Sequence, residues 1–390
     1  MAEAYIVAAA RTAGGRRAGR LAGWHPVDLG AKVIDALVDR SGVDPALVDD
    51  VIMGCVIQIG EQAICFGRNA VMASKLPLSV PGVSIDRQCG SSQQAIHFAA
   101  QAVMSGAQDI VIAAGVESMT RVPMGLSASL PAQHGYGNYM SPELQKRWPN
   151  TQFSQFTGAE MLAKKHDLSK ASMDAFAFDS HQKAAAATQA GAFKKEIVPL
   201  DVTMPDGAKL VHDTDEGIRY DATLEGIANV KLIAEGGRLT AASASQICDG
   251  AAGVMIVNER GLKQLNVQPL ARIHAMTVLG GDPVVMLEAP LPATDRALKR
   301  AGMKIDDIDL YEVNEAFASV PMAWLKHTGA DAARLNVNGG AIALGHPLGG
   351  SGAKLMTTLV HALHARGKRY GLQTMCEGGG QANVTIVERL

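Results

Sequence analysis

A lone cysteine in the segment DRQCGSSQQAI, residues 86–96, stands where an apolar periodic stretch begins. The pattern predicts a helix over Gln93–Met104, shortly after Cys89. A thiol near the start of a helix faces unpaired backbone N–H groups and the positive end of the helix dipole, and both favour the thiolate. We therefore expect Cys89 to be a nucleophile with a lowered pKa. The same segment also fits a buried cysteine that packs as a small hydrophobic residue.

A histidine lies in a second glycine-rich segment, NVNGGAIALGHPLGGSGAK, residues 336–354. Glycine at this density allows left-handed backbone and the close approach of a ligand to His346. The segment is not a phosphate-binding Walker loop, because no Gly-Lys-Ser/Thr follows its first glycine at the required spacing. If the fold brings His346 to Cys89, the two form a nucleophile and its base.

Two further residues could complete such a site. Cys376, in TMCEGGGQAN at 374–383, ends a predicted strand ahead of a glycine run. Two thiols near one histidine suggest covalent capture by one thiol and proton transfer by the other. Asn314, in YEVNEAFAS at 311–319, follows another predicted strand and is expected to open a helix. There its amide either caps the helix or, if buried, holds a water or an oxyanion.

The elements that must position these residues occur twice in the chain. Residues 35–56 and 295–316 both predict a helix, a small-residue turn, an acidic step and an apolar strand. Residues 83–117 and 335–380 both predict a strand, a glycine-rich turn, a helix and a second strand. This repeat predicts two similar α/β domains packed as a pseudo-dimer. Cys89 and His346 occupy matching turns, so we expect them to meet near the pseudo-twofold axis.

The stretch between the two copies has a different character and does not fit the repeat. We interpret it as an insertion that covers a ligand site, since long excursions from a compact domain are usually functional. The predicted organisation is an amino-terminal half at 1–118 and 249–268, an inserted loop domain at 119–248, and a carboxy-terminal half at 269–390.

Composition and charge exclude several classes of function. A net charge of −2 over 390 residues gives no basis for binding nucleic acid or an anionic membrane. No apolar stretch reaches the roughly 18 residues of a membrane span. The arginines of RTAGGRRAGR, residues 11–20, are typical of a solvated loop, with a phosphate contact as the alternative.

The cysteine and histidine spacing indicates neither a disulfide framework nor a metal site. The five cysteines include no C-x-x-C pair. His361 and His364 form an H-x-x-H pair without an acidic or cysteine partner nearby, so we expect no metal. The first residues lack the apolar core of a signal peptide, and the cytoplasm is therefore the expected location.

Along its whole length the chain resembles the thiolase family of acetyl-CoA acyltransferases. The matching segments are Arg11-Thr12, QCGSS at 88–92, GVESM at 115–119, NEAF at 314–317, NGGAIALGHPLGGSGA at 338–353 and CEGGG at 376–380. The resemblance implies the α/β thiolase fold, a duplicated five-layered α-β-α-β-α core with an inserted loop domain. It also implies that an acyl group moves between a 3-ketoacyl-CoA and CoA through a cysteine thioester.

The resemblance also implies a role for each matched residue. Cys89 corresponds to the nucleophile, His346 to the histidine that takes its proton, and Cys376 to the second acid/base. Asn314 corresponds to the asparagine whose bound water completes one oxyanion hole. The backbone N–H groups of Cys89 and Gly378 correspond to the other hole.

Substrate contacts carry over in the same way. Arg219 and Ser245 match positions that contact CoA, and Met286 and Phe317 match positions in the acyl pocket. Coenzyme A and acyl-CoA esters are expected as substrates, with no permanently bound cofactor. The family resemblance further implies a homodimer or a homotetramer.

Two segments depart from the family pattern. Short-chain biosynthetic members carry a His-Met pair where this chain reads Ser154-Gln155-Phe156-Thr157, whereas Met286 matches those enzymes. VKLIAEGG, at 230–237, replaces a usual Pro-Ala-Phe step beside the CoA site. We expect a degradative thiolase for longer or bulky acyl chains. A short-chain acetoacetyl-CoA thiolase and a catalytically silent acyl-CoA binder are the alternatives.

Overall fold

The structure, a computed structural model, describes residues 2–390. Its strands are β1 Tyr5–Thr12, β2 Gly15–Arg16, β3 Asp50–Gly54, β4 Gly82–Ile85, β5 Ile110–Ser118, β6 Ile197–Val198, β7 Leu200–Thr203, β8 Lys209–His212, β9 Cys248–Val257, β10 Ala271–Gly280, β11 Leu310–Val313, β12 Tyr370–Glu377 and β13 Gln381–Arg389. Its helices are α1 Pro26–Ser41, α2 Phe66–Ala73, α3 Ser91–Ser105, α4 Leu126–Gln133, α5 Pro142–Arg147, α6 Gln155–Lys165, α7 Lys170–Gln189, α8 Leu224–Ala228, α9 Glu259–Leu265, α10 Pro290–Ala301, α11 Ser319–Thr328, α12 Ala341–Leu344 and α13 Ser351–Ala365.

The two copies of the repeat form two strand groups of the same design. The first group has the order β4-β3-β5-β9-β1 and the second β11-β12-β13-β10. In each group the first strands run parallel and the last pair antiparallel, as in β3-β5-β9 and β11-β12-β13. The groups join where β1 pairs with β10 through Tyr5↔Arg272 and Ile6↔Ala271. These two residue pairs join the strand groups into one continuous sheet, whereas the repeat predicts two separate domains.

Helices α3 and α13 lie between the two strand groups and against each other. Both are buried along most of their length and share one apolar cluster with the inner faces of the strands. Their amino ends pack closely: Ser92 Oγ accepts from the backbone N–H of Ala353 at 2.9 Å, and a Cβ on Gly352 would overlap the backbone of Gln93. Small residues at this crossing therefore let the two helix starts meet.

The outer layers complete five layers in all. Helices α1 and α2 pack together beside the first strand group, and α10 and α11 pack together beside the second. Each outer layer contributes to an apolar cluster with its strands. The helices on both faces explain why the central strands are buried, as in β5, where all nine residues are buried.

The chain between β5 and β9 leaves this core and carries α4 to α8 with the β7–β8 hairpin. Buried ion pairs tie it back to β1, since Arg11 pairs with Glu196 at 2.6 Å and Asp215 at 2.8 Å. The expectation of a solvated arginine loop is wrong for Arg11, which is fully buried because two carboxylates satisfy its guanidinium. Arg16 and Arg20 pair with Glu216 at the surface.

Three properties of the described residues bear on the class of function. All five cysteines are unpaired. Across 2–390 no group of three or more His, Cys, Asp or Glu side chains is arranged to hold a metal ion. Within the same residues no helix has both the length and the apolar composition that a membrane span requires.

Candidate active site

Cys89 lies at a sharp turn ahead of α3. Gln88 adopts a left-handed φ of 49°, and Asp86 Oδ1 accepts its backbone N–H at 2.6 Å. Gly90 is the N-cap and the helix begins at Ser91, so Cys89 precedes the first turn. The turn leaves the thiol partly exposed at the wall of a cavity.

The surroundings of the Cys89 thiol disfavour its ionised form. Burial and the charge of Glu377 raise the pKa of Cys89 to about 12, and the backbone N–H groups of Cys89 and Gly378 offset only part of that rise. The expectation of a lowered pKa is therefore wrong, because desolvation and the charge of Glu377 both disfavour the thiolate. A thiol in this state becomes a nucleophile only when a neighbouring base takes its proton.

His346 has the protonation state that such a base needs. Its Nδ1 contacts Ser351 Oγ, and that hydroxyl donates to the carbonyl of Pro347 at 2.8 Å. We assign the proton to Nδ1 from this network, since the hydroxyl hydrogen is already used, which leaves the lone pair on Nε2. Burial, reinforced by the charge of Lys354, lowers the pKa of His346 to about 3. The imidazole is therefore neutral and able to accept a proton.

Asn314 meets the same imidazole. Its Nδ2 lies 3.4 Å from His346 Nε2, while its buried Oδ1 has no hydrogen-bond partner among residues 2–390. The expectation that Asn314 opens a helix is wrong, because its backbone N–H donates to Thr374 at 3.0 Å beside the sheet and α11 begins only at Ser319. The unpaired Oδ1 can accept from a water, which in turn can donate to an oxyanion.

The second thiol and its glycine turn lie next to Cys89. Cys376 is fully buried near the end of β12. Burial and then the charge of Cys89 raise the pKa of Cys376 well above its ordinary value, which places both sulfurs in one electrostatic environment. Gly378 follows, with its backbone N–H toward the Cys89 thiol. A Cβ on Gly378 would lie 2.8 Å from Gln88 Oε1, so the glycine turn passes close to the Gln88 side chain.

A cavity of about 890 Å³ opens beside Cys89. Gly378 and Met286 line it from the core, and Met286 has a left-handed φ of 57°. The chain between β5 and α6 contributes aromatic residues to the opposite wall, namely Tyr136, Tyr139, Trp148 and Phe153. Gln155, from the segment that departs from the short-chain pattern, also lines the cavity. Phe317 lies outside this lining and packs edge-on against Phe156 at 5.5 Å.

The two expected CoA contacts lie on segments that are joined to each other. Arg219 has an exposed side chain, and its backbone N–H donates to His181 Nδ1 at 3.2 Å. Ser245 precedes Gln246, whose carbonyl accepts the backbone N–H of His346 at 3.2 Å. The Gln246 side chain donates to Gly217 at 2.8 Å. The Ser245 segment therefore contacts the turn that carries His346, and the Arg219 segment contacts the Ser245 segment.

Two buried carboxyl groups at the site have no role in the sequence analysis. Glu117 accepts the backbone N–H groups of Val56, Ile57 and Gly349 at 2.8 to 3.1 Å and so joins the cavity wall to the histidine turn. Glu377 lies beside the two thiols. The only sequence signals for these two residues were their places in the motifs GVESM and CEGGG. Periodicity does not show whether an acidic residue in such a motif is buried or on the surface.

Comparison with known proteins decides the family. Residues 4–260 match the family described as thiolase, N-terminal domain, and residues 267–389 match thiolase, C-terminal domain. The chain belongs to the thiolase family. The identification made from the sequence motifs is thereby confirmed.

Relatives and solved structures of thiolases cover the whole chain. The steroid 3-ketoacyl-CoA thiolase FadA6 of Mycobacterium tuberculosis is 51% identical, over 100% of this chain and 95% of that protein. A 3-ketoacyl-CoA thiolase of Yersinia pestis is 42% identical over 100% of both. The crystal structure of human mitochondrial 3-ketoacyl-CoA thiolase has a TM-score of 0.90 and 36% identity, covering 100% of this chain and 99% of that one. The crystal structure of the Bacillus anthracis acetyl-CoA acetyltransferase has a TM-score of 0.91 and 34% identity, with the same coverage of both chains.

These likenesses confirm the predicted fold and chemistry. The chain has the thiolase fold, with the duplicated core and inserted segment described above. As a thiolase it is an acyltransferase that acts on CoA esters. The preference for the degradative 3-ketoacyl-CoA class is also confirmed by the names of its relatives.

Proposed function

We propose that this thiolase cleaves 3-ketoacyl-CoA esters whose acyl group is longer or bulkier than acetoacetyl. The observation that carries the proposal is the cavity of about 890 Å³ at Cys89, which has aromatic residues in its wall. Cavities of this size enclose ligands much larger than a four-carbon acyl group. Gln155 lines it in the segment where short-chain members carry a His-Met pair. The name of the relative that is 51% identical, a steroid 3-ketoacyl-CoA thiolase, supports a bulky acyl group.

The proposed first half-reaction transfers the acyl group to Cys89. Nε2 of His346 takes the thiol proton, and the sulfur attacks the ketone carbon of the 3-ketoacyl-CoA. The resulting oxyanion is held by backbone N–H groups of Cys89 and Gly378. When the bond between the α and β carbons breaks, the electron pair becomes the enolate of acetyl-CoA. Cys376 then protonates the enolate carbon, and acetyl-CoA leaves.

The second half-reaction regenerates the enzyme. The thiolate left on Cys376 takes the thiol proton of an incoming CoA, and the CoA sulfur attacks the thioester on Cys89. Collapse of the tetrahedral intermediate releases the shortened acyl-CoA, and Cys89 recovers its proton from His346. All protons are thus accounted for by two thiols and one imidazole, and no permanently bound cofactor is needed.

Substrate contacts and organisation follow the same proposal. In this proposal Arg219 and Ser245 bind CoA. Met286, which lines the cavity, and Phe317, which packs behind Gln155 through Phe156, help to shape the acyl site. The domain limits at 118/119 and 248/249 are supported by the end of β5 at Ser118 and the start of β9 at Cys248. The inserted segment covers the substrate.

The unpaired thiols support a reducing compartment, and we place the enzyme in the cytoplasm.

A homodimer or homotetramer is supported by an apolar surface at the sheet edge. Strand β4 is the last strand of its group, and Ile64, Leu78 and Val83 nearby are 85%, 73% and 41% exposed. Ile64 also has a φ of 55°, which costs a β-branched residue about 1 kcal/mol or more. Contact with a second copy would bury these side chains and cover the open strand.

Substrate length tests the proposed function directly. We expect thiolysis, measured as loss of the 3-ketoacyl absorbance with free CoA, to have a kcat/KM at least about tenfold higher for long or steroid-type esters than for acetoacetyl-CoA, because each buried methylene adds about 0.8 kcal/mol of binding. Activity confined to acetoacetyl-CoA would support the short-chain alternative. Binding of all esters without turnover would support the silent binder.

Replacement of Asn314 tests its place in the oxyanion hole. In Asn314→Ala we expect kcat to fall by about 10²-fold, since loss of one oxyanion donor costs about 3 kcal/mol. KM should change little, because the water is needed for the transition state. Asn314→Asp keeps the shape and is the matched variant. A kcat within twofold of the wild-type value in Asn314→Ala would contradict the assignment.

A further inference from the structure

The carboxyl group of Glu377 is buried without a partner. Its side chain is fully inaccessible to solvent, and neither Oε1 nor Oε2 has a hydrogen-bond partner among residues 2–390. The backbone N–H of Asn383 is near enough to lower the pKa slightly but lies outside hydrogen-bond geometry. Burying a carboxylate without a partner lowers the stability of the folded protein. Groups of this kind are therefore found mainly at functional sites.

The carboxyl is held against the turn that carries the nucleophile. A Cβ on Gly90, the residue after Cys89, would overlap Glu377 Oε1. Glycine at 90 therefore provides the space for the carboxyl group. Glu377 also follows Cys376 directly on β12. The group thus lies beside both proposed catalytic thiols.

The other charges around this carboxyl are few. Arg87, from the turn before α3, is the cation that lowers its pKa, but Arg87 Nη1 donates to Gln381 on β13 at 2.8 Å. Asp86, on the same turn, also lies in the cavity wall. Glu117, from β5, acts weakly on Cys89. Burial raises the pKa of Glu377 to about 8, so the net effect of these surroundings is to favour the protonated carboxyl.

We propose that Glu377 is a positioning residue whose carboxyl group controls the ionisation of Cys89 and Cys376. Protonated, it is neutral and leaves His346 able to draw the proton from Cys89. Deprotonated, its charge opposes formation of a thiolate on either sulfur, as the raised pKa values of both thiols indicate. As the pH rises through the titration of Glu377, the thiolate fraction of Cys89 therefore increases less steeply than it would beside a neutral residue. This inference rests on the proposed role of Cys89 as nucleophile.

Alkylation of Cys89 tests the proposal without substrate or turnover. Wild type and Glu377→Gln are treated with iodoacetamide from pH 6 to pH 9.5, and peptide mass spectrometry gives the rate at Cys89. We expect equal rates near pH 6, where Glu377 is protonated and glutamine resembles it. At pH 9.5 the variant should react on the order of tenfold faster, because removing a like charge next to a thiol lowers its pKa by about one unit.

Controls separate this effect from a structural one. A cysteine-containing reference peptide in each tube corrects for the reagent, and Glu225→Gln removes an exposed carboxylate from α8 and should match wild type at every pH. A variant-to-wild-type ratio that is constant across the pH range overturns the proposal, whatever its value. Failure of the proposed function would instead appear as absent thiolysis with this pH-dependent ratio intact.

Two further measurements apply if Glu377→Gln folds poorly. Glu377→Met is neutral and of similar length, and it should show the same rising ratio. In wild type alone, the logarithm of the alkylation rate should rise with pH at unit slope below about pH 7 and at a clearly smaller slope just above pH 8, where the carboxyl loses its proton. A straight line through that range overturns the proposal.

Discussion

Thiolysis by Cys89→Ser should be lower than wild-type thiolysis by on the order of 10⁴-fold or more. In the proposed mechanism the sulfur of Cys89 forms the thioester, and an alcohol in its place is a less acidic and far weaker nucleophile. Loss of 3-ketoacyl absorbance measures the rate. Mass spectrometry after exposure to acyl-CoA should show an acyl adduct on the Cys89 peptide of wild type and none on the variant.

The matched control is the same substitution at an exposed thiol outside the proposed site. Cys65→Ser keeps the contact of that side chain with the Gly82 carbonyl and should retain wild-type turnover. Thermal melting of both variants should agree with wild type within a few degrees, since serine replaces sulfur in a turn without leaving a cavity. Residual activity above about one per cent in Cys89→Ser would mean that covalent catalysis uses another group.

For Cys376→Ala we expect turnover to fall by on the order of 10³-fold, the range found when a general acid is removed. Burial and the charge of Cys89 raise the pKa of Cys376 well above its ordinary value, so at neutral pH it is a thiol with a proton to give. Alanine has no proton for the departing enolate and cannot take one from CoA. Iodoacetamide should still label Cys89 in this variant.

The labelling result is what makes the second prediction specific. Retained alkylation of Cys89 together with lost thiolysis shows a nucleophile that lacks its acid/base partner. Cys376→Ser is the conservative variant and should recover part of the activity. Near-normal turnover in Cys376→Ala would refute the role assigned to the second thiol, and loss of labelling at Cys89 would indicate a disturbed turn rather than a missing proton donor.

Much of the proposed site could be derived from the sequence because its residues lie in short local patterns. The repeat predicted that Cys89 and His346 occupy matching turns, and the structure places the starts of α3 and α13 in contact. The glycine runs predicted close backbone approach, as Gly378 shows against Gln88. Asn314 was found from its motif, but its expected helix was wrong because sheet contacts hold the chain extended beyond β11.

Electrostatics could not be predicted from these patterns. The helix-terminus rule gave the wrong sign for the pKa of Cys89, since burial and Glu377 act in the opposite direction and more strongly. Likewise the sequence pattern predicted that Arg11 lies in a solvated loop. Its partners Glu196 and Asp215, which allow it to be buried, lie some two hundred positions away. In both cases the deciding neighbours are distant in sequence.

The sequence by itself determined the duplicated scaffold and the acyl-CoA chemistry and predicted the reacting atoms, because side-chain type and spacing carry that information. Tertiary structure alone decided the tautomer of His346, the burial of Glu377 and the aromatic wall of the cavity. These depend on which groups become neighbours after folding and on how much water remains between them. Desolvation and Coulomb interactions act through space, and a linear pattern does not record those distances.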